Sequence, residues 1–129
     1  MQIRTFLAGA AIALTATLAA AAQPVPYSQQ AFDQMAREGK AVVVDVAATW
    51  CPTCRAQKPI IETLSRQAAY AGVAVLTVDF DTDKPLLRQF KVAQQSTLIA
   101  FRGGREVARS VGDTRPEGIE SLFGKASGR

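Results

Sequence analysis

The sequence contains no histidine and only two cysteines, Cys51 and Cys54, in 129 residues. A closed tetrahedral metal or iron-sulfur site draws on about four cysteine or histidine ligands, so a single chain cannot supply one. Two chains would each have to contribute both cysteines. Nor is there a lysine and arginine cluster interleaved with aromatic residues; the formal charge is only +4, and no nucleic-acid surface is expected. Internal repeats are absent, and so is any long low-complexity segment beyond the N-terminal stretch. With 48% hydrophobic residues at this length, the chain has room for one domain around one core and not for two.

What is present begins with a processing signal. Arg4 gives a short basic start, Phe6 to Leu18 is apolar or small, and Ala20-Ala21-Ala22 offers an A-x-A cleavage site before Gln23. Residues 1–22 are therefore read as a signal peptide and 23–129 as the mature domain of an exported protein. The uncharged run from Thr5 to Ala22 is 18 residues long, so an uncleaved signal that anchors the chain in a membrane is the alternative. Losing Arg4 with the signal leaves a mild net charge of +3.

The rest of the chain is organised around Ala48-Thr49-Trp50-Cys51-Pro52-Thr53-Cys54-Arg55, directly behind the apolar run Ala41 to Ala47. A buried strand that turns into a helix would put Cys51 at the helix N-terminus, where partial positive charge favours thiolate over thiol. Cys54, at i+3, falls on the same helix face, close enough for a disulfide. Such a pair can pass two electrons: Cys51 attacks a partner's disulfide, a mixed disulfide forms, and Cys54 resolves it. A merely structural bridge closing so short a loop would remove little entropy from the unfolded chain, so stability is a poor reason to place one there. Asp45 interrupts the apolar strand. A carboxylate buried there is costly, its pKa rises, and beside a dithiol it becomes a suitable proton acceptor. A strand-end aspartate that simply reaches solvent is the plainer alternative.

With these residues the chain resembles the thioredoxin superfamily. Asp45 lies where thioredoxins carry the buried aspartate that takes the proton of the second cysteine, Trp50 matches the tryptophan that shields the site, and Pro59 matches a proline inside the active-site helix. The wording Ala-Thr-Trp-Cys-Pro-Thr-Cys-Arg-Ala is most similar to the periplasmic cytochrome c maturation thioredoxins, the Dsb-type reductants. The resemblance implies a thioredoxin-like α/β fold, a mixed sheet of about four strands flanked by helices. It makes Cys51, Cys54 and Asp45 the candidate catalytic residues, and Trp50, Pro52, Thr53, Gln95, Ser96 and Gly112 the candidate substrate-binding residues. Two departures stand out. Thioredoxins place a lysine near the buried aspartate where this chain has Thr77, which leaves desolvation as the main influence on Asp45. They also have a cis-proline at the position of Ser96, before the threonine that is Thr97 here. A cis bond before serine costs about 2.5–4 kcal/mol, so Gln95-Ser96 is expected to be trans and the loop beside the sulfurs to differ. Serine restores a backbone donor and adds a hydroxyl, either able to bond the Cys51 thiolate or a substrate.

Along the chain, Pro24-Val25-Pro26 is expected as an extended linker and Tyr27 to Arg37 as an amphipathic helix, N-capped by Ser28 and closed by Gly39. Pro52 to about Ala71 is expected as the active-site helix, with Ile60, Ile61 and Leu64 inward and Arg55, Lys58, Glu62 and Arg66 solvated. Val73 to Phe80 is a second apolar strand. Asp79, Asp81 and Asp83 have a calcium-loop spacing without its glycine and distal glutamate, so Asp81 is assigned to the strand end and Asp83 to the cap of a short helix. Gly103-Gly104 marks a hairpin between Leu98–Arg102 and Glu106–Val111. Thr114 is expected to cap a last helix that buries Ile119, Leu122 and Phe123, with the tail frayed from Lys125.

The functional expectation is a periplasmic thiol-disulfide oxidoreductase acting on protein disulfides as a monomer, with no cofactor beyond the Cys51-Cys54 pair. The reducing direction is favoured, since strongly oxidising relatives carry a histidine between the cysteines. A reductant in an oxidising periplasm needs a membrane thiol electron donor, and cytochrome c maturation is one pathway that would use it. The rival reading is a metal or iron-sulfur binding module that uses Cys51 and Cys54 in a dimer.

Overall fold

The computed structural model describes residues 23–129; the signal-peptide reading falls on residues 1–22 and lies outside them. In chain order the elements are β1 (Val25–Pro26), α1 (Gln29–Arg37), β2 (Ala41–Ala47), α2 (Pro52–Arg66), a 3-10 turn (Ala68–Tyr70), β3 (Val73–Asp79), α3 (Lys84–Gln89), β4 (Thr97–Arg102), β5 (Arg105–Val111) and α4 (Pro116–Ala126). The sheet order is β1-β3-β2-β4-β5. β3 runs parallel to both β1 and β2, whereas β4 is antiparallel to β2 and β5. Among the described residues no helix is long and apolar enough to cross a membrane.

β2 is the central strand, and its run of valines follows from that position: both faces of the sheet are covered, so neither set of alternating side chains meets water. Val42, Val44 and Val46 pack with Phe32 of α1, Leu87 of α3 and Ile99 and Phe101 of β4. Val43 points the other way, into a cluster with Ile61 and Leu64 of α2 and Ile119, Leu122 and Phe123 of α4. By the same alternation Asp45 lies on the α2 side. The antiparallel half closes through Gly103 and Gly104, whose φ angles of 57° and 78° suit a two-residue hairpin turn that residues with a Cβ adopt only under strain.

Several boundaries differ from expectation for local reasons. The sheet has five strands rather than about four, because Val25 and Pro26 pair with Leu76 and Thr77 instead of forming a free linker. A two-residue edge strand is where prolines are tolerated. α1 starts two residues after Tyr27, with the Ser28 hydroxyl accepting from Ala31 N at 3.2 Å as expected. α2 ends at Arg66, where Gln67 turns extended at ψ 139° before the 3-10 turn. Asp83 occupies the N-cap position of α3, but its carboxylate bonds Asp79 N at 2.8 Å, so the helix lacks a side-chain cap. Thr114 is not the cap of α4; Arg115 is, and the Asp113 carboxylate accepts from Arg115 N at 3.0 Å. Nor is the end frayed: Ala126 is fully buried and Arg129 N bonds Gly124 O at 2.8 Å.

Phe123 is fully buried between α4 and the sheet. Phe123→Ala should lower the unfolding free energy by about 3–5 kcal/mol in urea titrations, the usual cost of emptying a core aromatic site; a loss below about 1 kcal/mol would mean that α4 is not part of the core.

Candidate active site

β2 carries the chain to the top of the sheet and α2 starts there. Cys51 is the N-cap residue of α2, with φ −85° and ψ 113°, and Pro52 follows where a missing N–H does no harm. The Cys51 sulfur does the work of a capping oxygen: Cys54 N donates to it at 3.1 Å. Cys54, one turn along, faces the same way, and both thiols are free and buried.

The third member of the cluster comes from the segment that leads into β4. Ser96 is buried, and its Oγ lies 3.1 Å from the Cys51 sulfur and 3.0 Å from the Cys54 sulfur. A hydroxyl has one proton to give. When Cys51 is a thiolate, Ser96 donates to it, and the single Cys54 S–H proton is directed to the same thiolate. The described residues contain no cis peptide bond, so Gln95-Ser96 is trans as expected. The loop differs as expected too: Ser96 sits at φ +62°, in the left-handed region that a non-glycine residue enters only at a cost. Backbone bonds hold it there. Ser96 N donates to Val46 O at 2.8 Å, and Gly112 N donates to Ser96 O at 2.9 Å. The backbone donor that serine restores is thus spent on β2, and the hydroxyl alone reaches the sulfurs.

These contacts divide the two thiols. Burial pushes Cys51 up, but the Cys54 thiol, the Ser96 hydroxyl and the backbone N–H groups of Cys54 and Thr53 all favour its charged form and bring it below the ordinary thiol value. Cys51 is 1% exposed, and burial is the largest single influence on it, outweighed only by these donors acting together. Cys54 moves up, first by burial and then by the neighbouring Cys51 sulfur, against the opposing help of Ser96.

Asp45 lies behind Cys54. Both line a cleft of about 460 Å³ with Arg55, Lys58, Glu62 and Thr77. Burial raises the Asp45 pKa from 3.8 to about 6. Thr77 sits directly across from Asp45 in the sheet register, but its hydroxyl bonds Val25 O at 3.3 Å and offers the carboxyl nothing. Lys58 and Glu62, expected to be plainly solvated, line this same cleft.

Of the remaining expected residues, Trp50 is 53% exposed, and its Nε1 donates to Asp81 Oδ2 at 2.8 Å. Asp81 therefore anchors the tryptophan rather than merely ending a strand. Pro52 is exposed, Thr53 and Gln95 are half-buried, and Gly112, at φ +73°, joins the site through its bond to Ser96 O. Two residues escaped sequence reasoning. Asp81 is 31 positions from Trp50, and nothing local signals their contact. Gln57 is 1% exposed, and the signal was available: Cys54, Gln57, Ile61 and Leu64 follow helical spacing along one buried stripe. Among the described residues no group of three or more cysteine, aspartate or glutamate side chains is placed to hold a metal ion.

A family model described as Thioredoxin matches residues 23–125. The chain is 40% identical over 81 residues to Thioredoxin-1 of Saccharomyces cerevisiae, covering 63% of this chain and 77% of that protein. It is 37% identical over 84 residues to the thioredoxin of Chlamydia muridarum, covering 65% and 80%. Among solved structures, Trxlp from Edwardsiella tarda superposes with a TM-score of 0.76 at 44% identity, covering 78% of this chain and 98% of that one.

Two outcomes are expected from this geometry. Ser96→Ala should raise the Cys51 pKa, seen as an alkaline shift in the pH profile of iodoacetamide alkylation; an unmoved midpoint would mean that the hydroxyl does not stabilise the thiolate. Asp45 binds its proton more tightly folded than unfolded, so stability should fall as pH rises from about 3.8 to about 6, by roughly 3 kcal/mol in all. Asp45→Asn should remove that fall in urea titrations run across the range, and a fall of equal size in the variant would place the titration elsewhere.

Proposed function

The chain belongs to the thioredoxin family and is a thiol-disulfide oxidoreductase with a C-x-x-C pair; we propose that it works in the periplasm as a reductant of protein disulfides, recharged by a membrane thiol donor. Cys51 is the nucleophile, Cys54 the resolving thiol and Asp45 the proton acceptor. The observation that carries these roles is the Ser96 hydroxyl set 3.1 Å from the Cys51 sulfur and 3.0 Å from the Cys54 sulfur, with Cys54 and Asp45 lining one cleft.

The reaction runs in two exchanges. The Cys51 thiolate attacks one sulfur of a substrate disulfide; the substrate S–S bond breaks and its other sulfur leaves as a thiolate, which takes a proton from solvent. The Cys54 thiol then gives its proton to the Asp45 carboxylate, which at a pKa of about 6 is mostly ionised at neutral pH. The cleft between them is large enough for water to carry the proton and to return it to solvent. The Cys54 sulfur attacks the Cys51 sulfur, the mixed disulfide breaks, and the second substrate sulfur leaves as a thiolate that takes a proton from solvent. Two electrons have passed to the substrate, and a Cys51-Cys54 disulfide remains. Trp50, Pro52, Thr53, Gln95 and Gly112 form the surface on which the substrate chain rests, and a single chain suffices.

Location and direction rest on the sequence. Residues 1–22 have the pattern of a secretory signal, and the family match starts at residue 23, one position after Ala20-Ala21-Ala22. Pro52 and Thr53, with no histidine, separate the cysteines, in keeping with a reductant. An oxidising periplasm would hold such a pair as a disulfide unless a donor reduced it across the membrane, and cytochrome c maturation is one pathway with that requirement.

Cys54→Ser, expressed as the full chain, should accumulate mixed disulfides with periplasmic proteins that dithiothreitol releases, whereas Cys51→Ser should accumulate none. Equal trapping by both variants would remove Cys51 as the nucleophile. Trapped partners confined to the cytoplasmic fraction would overturn the location.

A further inference from the structure

Gln57 is a primary amide inside a hydrophobic helix face, 1% exposed, one turn beyond Cys54. Its Nε2 donates to two backbone carbonyls at once: Ser96 O at 3.3 Å and Asp113 O at 2.9 Å. Its Oε1 is buried with no partner. An apolar side chain of the same size would avoid that unpaired oxygen but would take the donor from the Asp113 carbonyl, so the two bonds are what the amide supplies here. Its two bonds run to the two segments that meet beside the sulfurs. Asp113 follows Gly112, whose N–H holds the same Ser96 carbonyl, and the Asp113 carboxylate is tied in turn to Arg115 at the start of α4. Ser96 needs such support, because its left-handed backbone is unfavourable for serine and persists only where its surroundings fix it.

We propose that Gln57 is a positioning residue for thiol-disulfide exchange: its buried amide clamps the Ser96 and Asp113 carbonyls together and so holds the Ser96 hydroxyl between the two sulfurs. The inference rests on the role given above to Ser96 and extends it to the side chain that places it. Gln57 touches neither the substrate nor the reacting sulfurs. Its effect reaches Cys51 through the geometry of one hydroxyl. The charged groups around the pair are Asp45 from β2, Arg55, Lys58 and Glu62 of α2 and Asp79 of β3 along the cleft, Asp81 held by Trp50, and Asp113 paired with Arg115; none of them is altered in the test.

Gln57→Met keeps the volume and removes both donors, with Gln57→Leu as the second variant should the first not fold. The test is the pH profile of Cys51 alkylation in four full-length proteins: parent, Ser96→Ala, Gln57→Met and the double variant, with urea stability measured alongside. The expected result is that Gln57→Met moves the midpoint alkaline by about one unit, the effect of losing roughly one hydrogen bond to a charged group. In the Ser96→Ala background it should add nothing to that midpoint, and stability should fall modestly because the Asp113 carbonyl loses the Gln57 donor. A parent-like profile in Gln57→Met beside a shifted Ser96→Ala would overturn the clamp while leaving the Ser96 role intact. A shift that simply adds to that of Ser96→Ala would show Gln57 acting by another route. An unshifted Ser96→Ala would end the Ser96 role and the clamp with it.

Discussion

One hydroxyl proton shared between two sulfurs sets the chemistry of this site. Burial by itself pushes both thiols up. Ser96 breaks the symmetry because it can donate in only one direction, and Cys51 is the sulfur that also receives the Cys54 N–H at the start of α2. In the proposed exchange the nucleophile is the sulfur at the helix end. The resolving thiol is kept protonated by burial and by its neighbour's charge until the first exchange has consumed that charge. Asp45 then becomes useful, since burial alone gives it a proton affinity between those of an ordinary carboxyl and a thiol.

The fold supplies this cluster at some expense. β2 delivers Asp45 on one face and the turn to Cys51 at its end; β4, antiparallel to it, brings Ser96 alongside, with Ser96 N bonded to Val46 O. The left-handed backbone at Ser96 and the unpaired oxygen of Gln57 are both local losses, and both are concentrated within one turn of the sulfurs. Apolar clusters cover each side of the sheet and glycine takes most of the left-handed turns; among the described residues Lys91 at φ 54° and the unpaired Ser110 hydroxyl are the other local exceptions. Strain beside the reacting atoms is what a site held open for chemistry would show.

Much of this was legible in the sequence because the signals were local. Ala41–Ala47 is apolar on both of its alternating faces, Pro52 marks a helix start, and Gly103-Gly104 marks a hairpin. The C-x-x-C spacing and Asp45 could be placed on those elements directly. What escaped depended on distant partners. β1 is two residues long and exists only because β3 accepts it. Thr114 has good capping chemistry, but the N2 residue it would bond is Pro116, which has no N–H, and the helix starts one residue later with Arg115 at the N-cap. Gln57 looks like a solvated residue to any reading that scores glutamine as polar, although its helical spacing put it in the buried stripe. The conformation of Ser96 has no local signature at all. Serine does not favour a positive φ, and bonds from Gly112 and Gln57, 16 and 39 positions away, impose it.

The central claim is that Cys51 and Cys54 form a reducing pair, and its most direct test is their equilibrium reduction potential. Residues 23–129 would be equilibrated in dithiothreitol or glutathione buffers and the thiols counted by alkylation. The account predicts a potential of about −270 mV or lower, in the range of thioredoxin. A value near about −120 mV would make the protein a disulfide donor and contradict it.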